Sequence, residues 1–199
     1  MYAYHLVYDI PTSDPRQFRV LVAYKNVYGS RFGGNATEPT VLNGAGQLVI
    51  PGGSVAADDV ITGGQIEFFE ETGIDLRQTT VRQQMKCIGA AWSRVIDRQN
   101  DAHCVYQQVQ DVVFVQNAGN KNIQGRGRLP QDEELHLIEA YDASVVSGLF
   151  RFVPQADLET GWRGDQYKRL NARKKRLAEK KSRDPRDWYK AAVRQLTGP

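Results

Sequence analysis

Short apolar segments separated by turn residues fill the first quarter of the chain, and this pattern predicts a series of strands. Ala3–Ile10 and Phe18–Tyr24 are rich in Tyr, Val and Leu, as is typical of strands. Gln47–Ile50 predicts a further short strand that the Pro51-Gly52-Gly53 turn ends. The Gly- and Asn-rich stretch Tyr28–Gly46 is typical of a loop or a loose hairpin.

A helix is predicted after this turn. Asp58 or Asp59 can cap its start, and Gly73 ends it. Gly63 and Gly64 lie inside it and weaken it by roughly 1 kcal/mol each relative to Ala. The helix is therefore either short or broken, or the two glycines allow close approach of another backbone or of a ligand.

The rest of the chain predicts further strands and then helices. The predicted elements are strands at Val81–Ser93, Val105–Val115 and Leu135–Tyr141, a loop at Asn117–Pro130, and helices at Tyr167–Lys181 and Pro185–Gln195. Strands with an acidic helix between them indicate an α/β or α+β domain on a mixed sheet. We expect this domain to cover residues 1–162, with 163–199 as a basic helical extension packed on it or continuous with it.

Composition excludes several classes of protein. Hydrophobic residues make up 41% and charged residues 25%, which is ordinary for a globular protein. No apolar run approaches the roughly 20 residues of a membrane helix, and the first residues lack the features of a signal peptide, so we expect a cytoplasmic protein. Cys87 and Cys104 are expected to pack as small hydrophobic residues. The three histidines are too scattered to indicate a histidine metal site or a Ser-His-Asp triad.

Charge is distributed unevenly along the chain. From Arg163 onward there are 13 Lys or Arg and 4 Asp or Glu residues, a net charge of +9, whereas the whole chain carries +3. The remaining body therefore carries −6. A solvated helix face over Lys168–Lys181 is the simpler interpretation of the tail, and a patch that binds nucleic acid or an acidic substrate is the alternative.

Three glutamates carry the predicted chemistry. Glu67, Glu70 and Glu71 lie at i, i+3 and i+4, so they share one face of the predicted helix. Carboxylates at this spacing repel one another, and a cation between them removes that penalty. Carboxylate oxygens suit Mg²⁺ and Mn²⁺, which often bind substrate phosphates as well. The preceding glycines, Gly52 and Gly53, would let a phosphate chain approach the backbone.

The sequence from Glu67 to Ile74 resembles the end of the Nudix hydrolase signature, and Pro51-Gly52-Gly53 is similar to its lead-in. The resemblance implies an α/β/α sandwich on a mixed sheet, often assembled as a homodimer. It implies cleavage of a nucleoside diphosphate linked to another moiety, with Mg²⁺ or Mn²⁺. Glu67 would be a metal ligand or the general base, and Glu70 and Glu71 would be metal ligands.

The segment departs from the signature in three respects, one of which is the Gly63-Gly64 pair at a place where helix formers are usual. Ile66 stands where the family has an arginine that orients glutamates, and Asp58, or Asp59 in a second alignment, replaces its first glutamate. A further carboxylate from a distant loop is common in the family, and the candidates here are Glu133, Glu134 and Glu139. These departures make a catalytically inactive module that binds a nucleotide or a protein the alternative function. An RNA-associated protein that uses the basic tail is a third.

Overall fold

The computed structural model describes residues 1–14, 16–32, 35–56, 59–123, 132–183 and 187–197. Within these ranges the strands are β1 (Tyr2–Asp9), β2 (Arg19–Lys25), β3 (Tyr28–Phe32), β4 (Asn35–Val41), β5 (Leu48–Val49), β6 (Gly52–Ser54), β7 (Trp92–Asp97), β8 (Ala102–Gln108) and β9 (Leu135–Asp142). The helices are α1 (Val60–Thr72), α2 (Thr79–Gln84), α3 (Val112–Ile123), α4 (Ala143–Leu149), α5 (Gln155–Leu158), α6 (Gly161–Tyr167), α7 (Ala172–Lys181) and α8 (Asp187–Thr197). No helix in these ranges has the length and apolar character needed to cross a membrane.

One mixed sheet organises the chain. Its central order is β5-β2-β1-β8-β7, with β6 also paired to β1 and β9 also paired to β2. β1 and β8 run parallel, and the other pairs are antiparallel. β3 and β4 form a separate hairpin in the stretch predicted as a loop or hairpin.

Helices cover both faces of this sheet, as alternate residues of β1 show. The ring of His5 lies 5.1 Å from that of Phe68 in α1. The ring of Tyr4, the preceding residue, lies 5.6 Å from that of Tyr189 in α8. Because successive strand side chains point to opposite faces, α1 and α8 lie on opposite sides of the sheet. The expected α/β class with a mixed sheet is confirmed.

The C-terminal helices contribute buried side chains to two apolar clusters. Tyr189, Ala192 and Val193 of α8 belong to the main core around the sheet. Tyr167 and Ala178, from α6 and α7, pack in a second cluster with residues of the β3–β4 hairpin and its flanks. Residues from the predicted extension are therefore in contact with the body of the protein.

Several predicted elements were wrong. The predicted strand Val81–Ser93 is replaced by α2 and an irregular segment, and β7 begins only at Trp92. The predicted strand Val105–Val115 ends at Gln108, and its last valines begin α3. The second error came from treating valines as strand formers where the burial of Val112 and Val115 selects a helix, whereas α2 has no buried residue.

The boundaries of three other segments also differ from the prediction. Residues 117–123 of the predicted loop belong to α3, and 124–130 lie outside the described residues. The predicted helix Tyr167–Lys181 begins later, because Tyr167 is the last residue of α6 and α7 starts only at Ala172, where the side chain of Asn171 accepts a hydrogen bond from Lys174 N. Gly52 begins the short strand β6 instead of a simple turn.

Candidate functional site

Local signals set the limits of α1, the helix that carries the three glutamates. The Asp59 carboxylate accepts the backbone N–H of Ile61 at 3.0 Å, so Asp59 is the N-cap. Gly73 adopts a left-handed conformation with φ 75° and ends the helix. A Cβ at Gly64 would lie 2.7 Å from Val105 Cγ2 of β8, so the helix packs closely on the sheet. The helix is therefore neither short nor broken at the glycine pair, and the group that approaches Gly64 closely is a side chain of the sheet, not another backbone.

Glu67 and Glu71 lie one turn apart on α1 and face the two glycines of β6. Gly52 N donates a hydrogen bond of 2.7 Å to Glu71 Oε2. A Cβ at Gly53 would lie only 2.4 Å from Glu67 Oε2, so a larger residue there would displace this carboxylate. The glycines thus bring both carboxylates against the backbone of β6.

Lys25, at the end of β2, reaches the same cluster of carboxylates. Its Nζ lies 2.5 Å from Glu134 Oε2 and 3.6 Å from Glu71 Oε1. The Lys25 side chain is only 12% exposed. An almost buried ammonium therefore connects α1 with the segment that precedes β9.

These groups line a cleft of about 970 Å³. Aromatic side chains of β1 and α8 form another part of its wall. The described charged residues of the lining are Lys25, Glu67, Glu71, Asp97, Asp132, Glu134 and Lys181. Five carboxylates thus face two ammonium groups, which gives the cleft an excess of negative charge when all are ionised.

Burial weakens the acidity of the two central glutamates. Desolvation, and then the charges of Glu70 and Glu134, raise the pKa of Glu67 to about 7. Desolvation raises the pKa of Glu71 to about 8, although Lys25 acts in the opposite direction. The ion pair with Lys25 therefore offsets only part of the cost of burying the Glu71 carboxylate. A further cation in the cleft would favour the ionised form of both groups.

Other predicted acids lie beside the cleft or outside it. Glu70 is half-buried and is not among the described residues that line the cleft, although its charge acts on Glu67. The Glu133 carboxylate accepts hydrogen bonds from Ser30 N at 3.1 Å and Ser30 Oγ at 2.7 Å, so it is bound to the β3–β4 hairpin. Glu139 accepts a hydrogen bond from the Tyr141 hydroxyl. Asp58 lies outside the described residues.

The carboxylate oxygens of the cleft fit Mg²⁺ or Mn²⁺ in kind, and the carboxylates of the lining outnumber its ammonium groups. Glu67, Glu71 and Glu134 are the carboxylates that would supply oxygens to such an ion, and their side chains would have to move closer together to hold it. Over the ranges that the structure describes, no group of three or more His, Cys, Asp or Glu side chains stands close enough together to hold a metal. Lys25 occupies the space between two of these carboxylates instead.

Sequence reasoning missed Lys25. The only signal was a single lysine directly after the apolar run of β2, which by itself is no more than a polar strand end. Its partners lie 46 and 109 positions further along the chain, at Glu71 and Glu134. Their proximity depends on the pairing of β2 with β9 and on the packing of α1.

No protein-family model and no curated protein matches the chain. Among solved structures, a mutT/nudix family protein from Listeria innocua is 8% identical with a TM-score of 0.39, over 74% of this chain and 81% of that one. The NUDIX domain of Shewanella oneidensis NrtR, complexed with ADP ribose, is 10% identical with a TM-score of 0.34, over 74% and 75%. A MutT/nudix family protein from Enterococcus faecalis is 13% identical with a TM-score of 0.31, over 71% and 42%. Values this low do not establish membership of the family.

Proposed function

We propose that the protein hydrolyses a phosphate anhydride bond in a nucleoside diphosphate linked to another moiety, with Mg²⁺ or Mn²⁺ as cofactor. The observation that supports this most directly is the placement of Glu67 and Glu71 against Gly52 and Gly53 inside the cleft. The resemblance of the segment from Glu67 to Ile74 to the Nudix signature agrees with it.

Electrostatics supports a cation requirement. A diphosphate is itself a dianion or trianion, and the cleft lining already has more carboxylates than ammonium groups. Such a ligand would be repelled unless a cation screened both sets of oxygens. A bound divalent ion would neutralise phosphate charge and orient the bond that breaks.

The glutamates of α1 would have different roles in the reaction. The pKa of Glu67 is raised to about 7 without a cation, and a bound cation would favour its ionised form, which would be available to accept a proton from an attacking water. Glu71 is held by Gly52 N and suits a ligand role. Glu70, beside the cleft, would act on Glu67 through its charge or as a further ligand. Because Gly53 has no side chain, the Glu67 carboxylate can lie directly against the backbone of β6.

A panel of nucleotide anhydrides with Mg²⁺ or Mn²⁺ tests this proposal by the release of phosphate-containing products. Glu67→Gln and Glu71→Gln keep the side-chain shape and should each lower kcat by about a hundredfold or more. Glu133→Gln is the matched control, because Glu133 binds Ser30 outside the cleft, and should keep wild-type activity. Absence of turnover with every compound and either metal would rule the proposal out.

A nucleotide-binding module without catalysis is the second candidate, and Lys25 is the observation that favours it. Its ammonium already pairs with Glu71 and Glu134, so the cluster has a counter-charge of its own. This function predicts that calorimetry detects binding of a nucleoside diphosphate derivative in EDTA, and that the compound is recovered intact. Binding that disappears in EDTA would contradict it.

A further inference from the structure

The acidic helix has no positive charge of its own. Between Val60 and Thr72 the sequence contains three glutamates and neither Lys nor Arg. The counter-charge to Glu71 therefore comes from another element. The structure provides it from β2, through Lys25.

The fold holds Lys25 at this place. Its backbone N–H donates to Gln47 O at 2.9 Å, and its partner in β9 is Leu135, the residue after Glu134. The register of the β2–β9 pairing shifts between Tyr24 and Lys25, an irregularity of the kind that changes the direction of a strand side chain. The ammonium is thus fixed beside Glu134 by strand pairing as well as by charge.

We propose that Lys25 is a resident counter-ion that competes with a divalent cation for Glu71 and Glu134 and so sets how tightly the cleft binds Mg²⁺ or Mn²⁺. This inference rests on the proposed function in taking the cleft as a cation site. It adds a residue that controls the affinity of that site.

The direction of the effect follows from the distances. A divalent ion that binds Glu71 enters a region where an ammonium already lies 3.6 Å from the same carboxylate. Two cations at such separations repel each other, and the low exposure of Lys25 limits screening by solvent. Removal of the ammonium should therefore strengthen divalent binding, and a change that keeps the charge should not.

Mn²⁺ binding, measured by the electron paramagnetic resonance signal of free Mn²⁺, tests this without any substrate. Lys25→Met should bind Mn²⁺ about tenfold or more tightly than wild type, and Lys25→Arg should bind it about as wild type does. Lys181→Met is the matched control. Lys181 lines the same cleft but donates to Val41 O at 2.7 Å, so its removal should have a smaller effect.

Stability provides a second measurement. In EDTA, Lys25→Met should unfold at a lower temperature than wild type, because its loss leaves two carboxylates without their partner. Mn²⁺ should then raise its Tm more than it raises that of wild type. If Lys25→Met does not fold in EDTA, the same affinity comparison is made between Glu134→Gln and Lys25→Met/Glu134→Gln, because Glu71 remains in both.

The outcomes separate this inference from the proposed function. Mn²⁺ affinity that is unchanged or weaker in Lys25→Met overturns the role of Lys25, whether or not the wild type is an active hydrolase. Tighter binding in Lys25→Met supports it, even if neither protein hydrolyses any compound of the panel. If neither protein binds Mn²⁺, the inference is overturned and the proposed cofactor is lost with it.

Discussion

His5 is an ionisable side chain that lies fully buried between β1 and α1. Its ring contacts that of Phe68. Desolvation lowers the pKa of His5 to about 3, and the nearby backbone of Gly64 offsets this only in part. No described group forms a hydrogen bond of normal geometry with either ring nitrogen. The folded protein therefore holds His5 in its neutral form.

This environment predicts a specific loss of stability in acid. The unfolded chain binds a proton at His5 near pH 6.5, and the folded chain binds it only near pH 3. The stability that the protein gains from burying neutral His5 is therefore fully present above pH 6.5 and is lost as the pH falls toward 3. Between pH 7 and pH 5, wild type should lose about 2 kcal/mol more than His5→Leu does. Urea unfolding of both proteins at the two pH values measures the difference. Equal losses would show that His5 is not kept neutral.

At the scale of an element, α1 is a helix whose glycines serve its packing. Local propensity disfavours Gly63 and Gly64, yet the helix continues through both. Gly64 faces Val105 of β8, and a Cβ at Gly63 would lie 3.0 Å from the side chain of Val55. The close contact between Gly64 and Val105 brings Glu67, one turn further along α1, next to Gly53 of β6.

Two glycine-to-alanine substitutions distinguish the effect of helix propensity on stability from the effect of close packing. Gly64→Ala should destabilise the protein by about 1–3 kcal/mol, because the new Cβ would lie 2.7 Å from Val105 Cγ2. Gly148→Ala in α4 has nothing within 4 Å and should stabilise it by up to about 1 kcal/mol. Chemical denaturation of both variants measures the effects. A stabilising Gly64→Ala would mean that α1 does not pack this closely on the sheet.

Some of the basic side chains of helix α7 form contacts within the protein. Lys174 Nζ donates to Pro39 O and Lys181 Nζ to Val41 O, each at 2.7 Å, so both lysines bind the strand β4. Lys175 lies over the ring of Tyr167 at 5.3 Å. These contacts favour the solvated, packed helix over a nucleic-acid surface. Affinity for RNA that falls steeply with added salt would be evidence for the latter.

At the scale of the whole molecule, the last helix is part of the same core as the sheet. Tyr189 is 2% exposed and packs against Tyr4 and Phe150. The hydroxyl of Tyr106 in β8 donates to Ala192 O of α8 at 2.9 Å. We therefore expect residues 163–199 to unfold together with the body of the protein, even though their charge differs from that of the preceding residues.

Two alanine substitutions test whether residues 163–199 unfold together with the rest of the protein. Tyr189→Ala should lower the free energy of unfolding by about 3 kcal/mol or more, because it leaves a cavity under the sheet. Leu177→Ala, at a position that is 40% exposed on α7, should cost less than about 1 kcal/mol. Unfolding followed by far-UV circular dichroism and by tryptophan fluorescence should give one transition for each variant. A separate early transition in Tyr189→Ala, with the main one unchanged, would instead indicate an independent extension.

The sequence by itself determined the features that neighbouring residues encode. Asp59 and Gly73 set the ends of α1 through their own side chain and backbone, so the helix and its glutamate face could be predicted. The apolar runs of β1, β2 and β9 likewise predicted strands close to the observed ones. Such signals act over a few residues and do not require the rest of the fold.

Only the tertiary structure decided what distant residues do together. α3 begins at Val112, whose N–H donates to the carboxylate of Asp9, 103 positions earlier, and valines that alone favour a strand start a helix there. Gly52 joins the sheet because β1 offers it a partner. Lys25 meets Glu71 and Glu134 for the same reason, since strand pairing and helix packing bring together groups whose separation along the chain carries no signal of contact.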